Sequence, residues 1–263
     1  MSLRPLVSIA DALRVVGRRA RVVDISAASE LVRGGLPNAV QCPVTDLKGA
    51  GGGPILPADF SQLAAHLGIL SSTPVVVCAD SVVLAARFWY ISQLYGKTGV
   101  RLLDGTANEL LDAYGDAEGR STGDDVASEE DAPFAPCITP KLLANADDVQ
   151  NASAGGGDAK IQIIDARTRG EFGAGHIPSS LNLPHAALLT RDGKFKDGES
   201  LRASIEAAGV DADKQSIVYC GVGLRASAVV LGLHLVAPRA PLAANYDGSM
   251  SDWMRRGHVI TRK

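Results

Sequence analysis

Cysteine is scarce in this chain: Cys42, Cys78, Cys137 and Cys220 are the only four among 263 residues. No two form a CxxC pair, which argues against a zinc site or a thioredoxin-like motif, and a disulfide framework is foreign to a chain of this length. The thiols therefore read as reduced, in a cytosol-like compartment, and the question is which of them reacts. Long apolar runs are missing as well. The first apolar stretch, Leu6 to Ala10, is cut by Asp11, and nothing approaches the ~18 residues that a membrane helix needs. Nor is there an excess of one charge. Twenty-six Lys and Arg against 29 Asp and Glu leave a formal charge of -3, so there is no general basic field for nucleic acid, and any anion site must be local. The early arginines, Arg4, Arg14, Arg18, Arg19 and Arg21, run directly into the strand-like 21–25 and read as part of a domain rather than a targeting segment.

What is present is enough apolar residue for real cores, 46% with 21% charged, in a length that suits two domains of roughly 130 residues. The chain also repeats itself. A shift of 141 positions carries Val22-Val23-Asp24 onto Ile163-Ile164-Asp165, Glu30 onto Glu171, and Gly34 onto Gly175. The same shift carries Leu36-Pro37 onto Ile177-Pro178, Pro43 onto Pro184, Gly68 onto Gly209 and Val75-Val76-Val77 onto Ser216-Ile217-Val218. An ordered, gapless series of this kind means a duplicated domain. The polar, acidic stretch 115–136 reads as a linker between a first domain, 1–114, and a second, 137–263. Strands are expected at 21–25, 74–78, 100–103, 160–164 and 215–219, and helices at 84–94 and 225–235. Strands apolar throughout, alternating with helices, give an α/β fold in which each half is a mainly parallel sheet with helices on both faces.

Chemistry concentrates in one loop of the second half. The buried strand 216–219 ends in Cys220, followed by Gly221-Val222-Gly223-Leu224-Arg225 and a helix. A thiol there stands at the carboxyl end of a parallel strand, where open α/β sheets place ligands. Two glycines let successive N–H groups turn inward as an anion nest, the helix adds its positive end, and each feature favours thiolate over thiol. Arg225 closes the loop with a guanidinium fork suited to an oxyanion.

Cys220-Gly-Val-Gly-Leu-Arg225 resembles the active-site loop of the rhodanese family of sulfurtransferases. Asp165-Ala166-Arg167, Glu171-Phe172, Gly175-His176-Ile177-Pro178 and Tyr246-Asp247-Gly248-Ser249-Met250-Ser251-Asp252-Trp253 are similar to the family's other signatures. The resemblance covers nearly the whole chain and implies two tandem rhodanese-like domains, of which only the second is catalytic. It further implies that Cys220 carries sulfur as a persulfide, and that Arg167 binds substrate and faces the loop beside Arg225. Gly221, Val222, Gly223 and Leu224 line the sulfur and Asp165 supports Arg167. Neither metal nor organic cofactor is expected. The partners implied are a small-molecule sulfur donor and a thiophilic acceptor, a protein thiol being one option, with no nucleic acid and no membrane. The first half has lost the equipment: under the same shift Ala79 stands for Cys220, Val82 for Gly223, Leu84 for Arg225 and Ser26 for Arg167. Cys78 falls one place early and reads as structural, Cys42 as core, and Cys137 carries no signal. His176 is expected to organise its turn, and Trp89 and Trp253 to pack at domain surfaces or a domain interface.

Two other classes compete. Related folds use Cys-X5-Arg loops as phosphatases or arsenate reductases, but Cys220 to Arg225 is one residue shorter, a ring better sized for sulfur than for phosphate. A persulfide carrier serving a protein partner shares the same cysteine and stays open. Among donors, mercaptopyruvate-type relatives commonly have a hydroxyl residue where Val222 stands and a histidine where Gly35 stands. Thiosulfate-type relatives in turn commonly carry cationic residues where Gly221 and Val222 stand, and the loop shares Gly221 and Gly223 with the mercaptopyruvate pattern. With the residues pointing both ways, thiosulfate is the expected donor and 3-mercaptopyruvate the alternative.

Overall fold

The computed structural model describes residues 4–16, 20–26, 29–116, 132–155 and 161–262. Two compact units divide the chain, residues 1–49 with 54–138 and residues 139–263 with 50–53.

The first unit holds β1 (Leu6–Val7), α1 (Ile9–Leu13), β2 (Arg21–Asp24), α2 (Glu30–Arg33), β3 (Ala39–Gln41) and α3 (Pro57–His66). After these come β4 (Val75–Cys78), α4 (Val82–Leu94), β5 (Val100–Leu103) and α5 (Ala107–Asp116). The second unit repeats the plan with β6 (Leu143–Ala144), α6 (Ala146–Ser153), β7 (Gln162–Asp165), α7 (Arg169–Ala174), β8 (Leu181–Asn182) and α8 (Gly198–Glu206). It ends with β9 (Ser216–Tyr219), α9 (Leu224–Val236), β10 (Ala244–Tyr246) and α10 (Ser249–Arg255). Each unit builds a five-stranded sheet of parallel pairs, ordered β1-β5-β4-β2-β3 in one and β6-β10-β9-β7-β8 in the other. The two orders are the same, as duplication requires.

The alternation of side chains along a strand explains the layering of the second unit. Ile163, Ile217 and Tyr219 turn to one face and pack with Ala146 and Val149 of α6 and with Met250 and Trp253 of α10. On the other face α9 lies over β9 and packs against α8. α4 and α9 carry no polar stripe because they are buried nearly all round, Val83 to Leu94 in one and Ala226 to Leu233 in the other. Among the described residues no helix is long and apolar enough to cross a membrane.

The longer strands and the two apolar helices fall within one or two residues of their expected bounds. The short strands β1, β3, β6, β8 and β10 were not expected, because two or three residues give no periodicity to read. Of the two expectations for the tryptophans, an outer surface position is excluded by their burial. Trp89 and Trp253 are each 2% exposed, and the Trp253 indole N–H donates to the Val259 carbonyl at 2.9 Å. Most of the expected linker, 117–131, lies outside the described residues. Its last residues are packed rather than solvated: Ser61 Oγ donates to the Phe134 carbonyl at 3.1 Å, and the Phe134 ring meets Phe60 edge-on at 5.9 Å.

Phe60 also lies 5.3 Å from Tyr95 and 6.4 Å from Phe88, which makes it the centre of an aromatic cluster. Phe60→Ala is expected to destabilise the protein by roughly 3–5 kcal/mol. Urea denaturation checks this, and a loss below about 1 kcal/mol would mean that the cluster does not hold the segment around Phe134.

Candidate functional site

Cys220 follows the last residue of β9 and is 1% exposed. Its backbone is gripped from the segment after β10. The Cys220 N–H donates to Ser249 Oγ at 3.0 Å, and the Ser249 hydroxyl in turn donates to the Tyr246 carbonyl at 2.8 Å. The Met250 N–H donates to the Cys220 carbonyl at 3.1 Å and the Ser251 N–H to the Gly221 carbonyl at 3.2 Å. To make the first of these bonds Ser249 adopts φ +54°, a left-handed conformation uncommon outside glycine, and it is fully buried there.

The loop turns into α9 through Gly223, whose φ of +83° only glycine adopts without strain. A Cβ at that position would stand 2.3 Å from Asp247 Oδ1 and 2.8 Å from the Asp247 carbonyl. Asn245 fixes the same turn, donating from Nδ2 to the Gly223 carbonyl at 2.9 Å. No side chain caps α9. Its first-turn N–H groups, which an N-cap would ordinarily occupy, add positive potential beside the thiol. The first unit differs here: Ser81 caps α4, accepting from the Val83 N–H at 3.3 Å.

Arg225 forms a bidentate pair with Glu171, at 2.8 Å on each arm. Glu171 also accepts from the N–H and hydroxyl of Thr168, closing a capping box on α7. Arg225 above all holds the Glu171 carboxyl down at about 2. In return Glu171, and after it Cys220 by charge and hydrogen bond, keeps Arg225 more firmly charged than usual against its partial burial.

Arg167 is engaged at the end of β7, and among the described residues no hydrogen bond joins its guanidinium to the loop 220–225. It is 7% exposed, with Nε and Nη2 donating to Asp165 at 2.7–3.1 Å and Nη2 also to the Gly175 carbonyl at 2.6 Å. Its guanidinium lies over the Tyr219 ring at 5.8 Å. Asp165 also accepts from the Arg167 N–H at 2.9 Å, so carboxylate and guanidinium together pin the chain leaving β7 next to the strand that bears Cys220. The first unit keeps the turn without the charge, the Ser26 N–H donating to Asp24 Oδ1 at 3.0 Å and Ser26 Oγ accepting from the Asp80 N–H at 2.9 Å.

The loop thus brings together Cys220, Gly221, Val222, Gly223, Leu224 and Arg225. Val222 is 49% exposed, the most open of the loop's apolar side chains. His176 bonds the Phe172 carbonyl through Nδ1 at 2.9 Å and stacks on the Phe172 ring at 3.8 Å, ordering its turn. Two of the other thiols are unsuited to attack. Burial, then Asp46, pushes the Cys42 thiol up to about 12, and burial, then Asp24 and Asp80, pushes Cys78 well above its ordinary value. Cys137 is exposed and free. Among the described residues no three His, Cys, Asp or Glu side chains gather as a metal site.

Sequence reasoning gave no role to Ser249, Asn245, Asp247 or His185. The first three sit within or beside the Tyr246–Trp253 signature, where nothing local says that they reach back to the loop. The signal for His185 was available, since the shift of 141 sets it against Val44, a polar residue opposite an apolar one.

Comparison with known proteins adds the following. The model of the rhodanese-like domain matches residues 145–256. The chain is 30% identical over 222 residues to the 3-mercaptopyruvate sulfurtransferase of Rattus norvegicus, covering 77% of this chain and 71% of that one. It is equally 30% identical over 221 residues to the thiosulfate sulfurtransferase of Mus musculus, covering 78% and 71%. SseA from Escherichia coli, a 3-mercaptopyruvate sulfotransferase of rhodanese fold, superposes with a TM-score of 0.76 at 25% identity, over 94% of this chain and 99% of that one.

Two expected outcomes test the geometry. Gly223→Ala must either strain the backbone or displace buried Asp247, and a loss of at least about 2 kcal/mol in urea denaturation is expected. Wild-type stability in that variant would contradict the close approach. The second concerns Glu171, whose carboxyl is lowered from 4.5 to about 2. A depressed carboxylate stabilises above its unfolded value and loses that contribution as pH falls toward its folded one. The stability gap between wild type and Glu171→Gln is therefore expected to be level above about 4.5 and to close as pH falls toward about 2. A gap unchanged across that window would mean that the pair with Arg225 does not form in solution.

Proposed function

We propose, for a chain that belongs to the rhodanese family and is a sulfurtransferase of that type, that sulfur travels as a persulfide on Cys220, taken from thiosulfate and given to cyanide or a thiol. One observation carries the assignment. In the unit with Cys220 the following helix is uncapped and Arg225 bears on the thiol, whereas in the other unit alanine stands at that position and serine caps the helix.

In the forward half-reaction the Cys220 thiolate attacks the outer sulfur of thiosulfate. A new S–S bond forms, the original S–S bond breaks, and its electron pair leaves on sulfite. An acceptor then attacks the outer sulfur of the persulfide, and the pair of the broken bond returns to Cys220. Loop amides and the positive end of α9 stabilise the anionic sulfur at both stages. Arg225 meets the donor's oxyanion by giving one arm of its pair with Glu171 to the ligand, and Arg167 acts as a positioning residue through Asp165 and the end of β7. A reducing, cytosol-like compartment suits a cycle that starts from a free thiol, and all four cysteines are free.

Thiosulfate is favoured because sulfite leaves without needing a proton, and Arg225 and the uncapped end of α9 border the loop. Of the residues that mercaptopyruvate-type relatives commonly carry, the chain lacks the hydroxyl where Val222 stands and the histidine where Gly35 stands. A protein persulfide acceptor would use the same loop, since Cys220 is the shared carrier.

Three outcomes are expected. Cys220→Ser abolishes transfer while Cys78→Ser retains most of it, and comparable losses from both would end the single-site reading. Arg225→Ala lowers kcat/KM for thiosulfate by roughly 1.5–3 kcal/mol, about 10- to 150-fold. With a common acceptor, kcat/KM for thiosulfate exceeds that for 3-mercaptopyruvate, and the reverse order would assign the chain to the other donor.

A further inference from the structure

His185 follows edge strand β8 and opens a short 3-10 turn, 185–188. Since β9, β7 and β8 are neighbours, Cys220, Ala166 and His185 leave the carboxyl ends of three adjacent strands. Both the backbone N–H of His185 (3.1 Å) and its ring Nδ1 (3.3 Å) bond the Ala166 carbonyl. A carbonyl only accepts, so Nδ1 carries the ring proton and Nε2 presents a lone pair. Nothing among the described residues is hydrogen-bonded to Nε2, and the side chain is half-buried. The charged groups that act on the ring are Arg225 from α9 and Glu171 from α7, the same pair that borders the Cys220 loop. Burial holds the imidazole below its ordinary value, Arg225 adds to this, and the Ala166 carbonyl and Glu171 oppose it. The duplicated half has Val44 at the matching position, so the imidazole occurs only beside the thiol.

The thiosulfate half-reaction has no proton for this group to move, but a thiol acceptor does. With an ordinary thiol value of about 8.5, only some 3% is thiolate at neutral pH. We infer that His185 is the general base of the acceptor half-reaction, taking the S–H proton of an incoming thiol through Nε2. As the proton moves to Nε2, the acceptor sulfur bonds to the outer sulfur of the Cys220 persulfide. The bond between that sulfur and Cys220 Sγ breaks, and its electron pair restores the Cys220 thiolate. The products are the acceptor's persulfide and a protonated His185, which returns its proton to water. No electrons are gained or lost overall.

The inference rests on Cys220 being the sulfur carrier, so the experiment separates the two. Wild type and His185→Gln are each loaded with thiosulfate, sulfite release is measured in a single turnover, and transfer is then followed to two thiols. One is an alkanethiol of ordinary acidity and the other an aromatic thiol already ionised at neutral pH. Equal sulfite release is expected from both proteins. With the alkanethiol the variant's kcat/KM falls by up to about thirty-fold at neutral pH, the ceiling set by the thiolate fraction, and recovers at alkaline pH. With the aromatic thiol it is unchanged. Equal losses with both thiols, or no loss with either, would overturn the role of His185. Failure of the wild type to release sulfite would instead overturn the loading of Cys220 from thiosulfate, on which the inference rests.

Discussion

A reactive thiol at the end of a buried strand depends on a turn that leaves backbone N–H groups uncommitted. Between β9 and α9 the chain reverses in four residues, and only the left-handed Gly223 brings α9 down without a capping side chain. That conformation is kept by what presses on it: Asp247 fills the space where a Cβ would stand, Asn245 holds the Gly223 carbonyl, and strained Ser249 receives the Cys220 N–H. Strain at Ser249 and crowding at Gly223 are thus two sides of one constraint, and they join the two segments, 220–225 and 246–253, whose sequences match the family signatures.

The duplicated half is a control built by the same sequence plan. It keeps the strand order, the buried aspartate and the turn after it, but Ser26 replaces Arg167 and Ser81 caps the helix. Once the helix terminus is capped by a hydroxyl and the strand end carries alanine, nothing there favours an anion. Cys78, one residue earlier, lies inside the strand, where burial, and after it Asp24 and Asp80, holds it as a thiol. The two units therefore differ at these positions without a change of fold.

Much of this was legible in the sequence. Strands such as 75–78 and 216–219, buried on both faces, announce themselves as apolar runs, and the repeat fixed their equivalence across the chain. Cys220, its glycines and Arg225 were legible because a short loop places them together by chain connectivity alone. The long-range partners were not. Glu171 meets Arg225 across 54 residues and Ser249 meets Cys220 across 29, and neither contact has a local pattern. Arg167 was half legible: its pairing with Asp165 was expected from their nearness in the chain, whereas its bond to the Gly175 carbonyl was not.

The central claim is that Cys220, and no other thiol, holds the sulfur in transit. Incubation of the protein with thiosulfate, removal of excess donor, digestion and mass spectrometry of the four cysteine-containing regions tests it directly. The account predicts that the Cys220 peptide alone gains the mass of one sulfur atom and that cyanide returns it to its starting mass. Added sulfur on Cys42, Cys78 or Cys137 that cyanide removes equally well, or an unaltered Cys220 peptide, would contradict it.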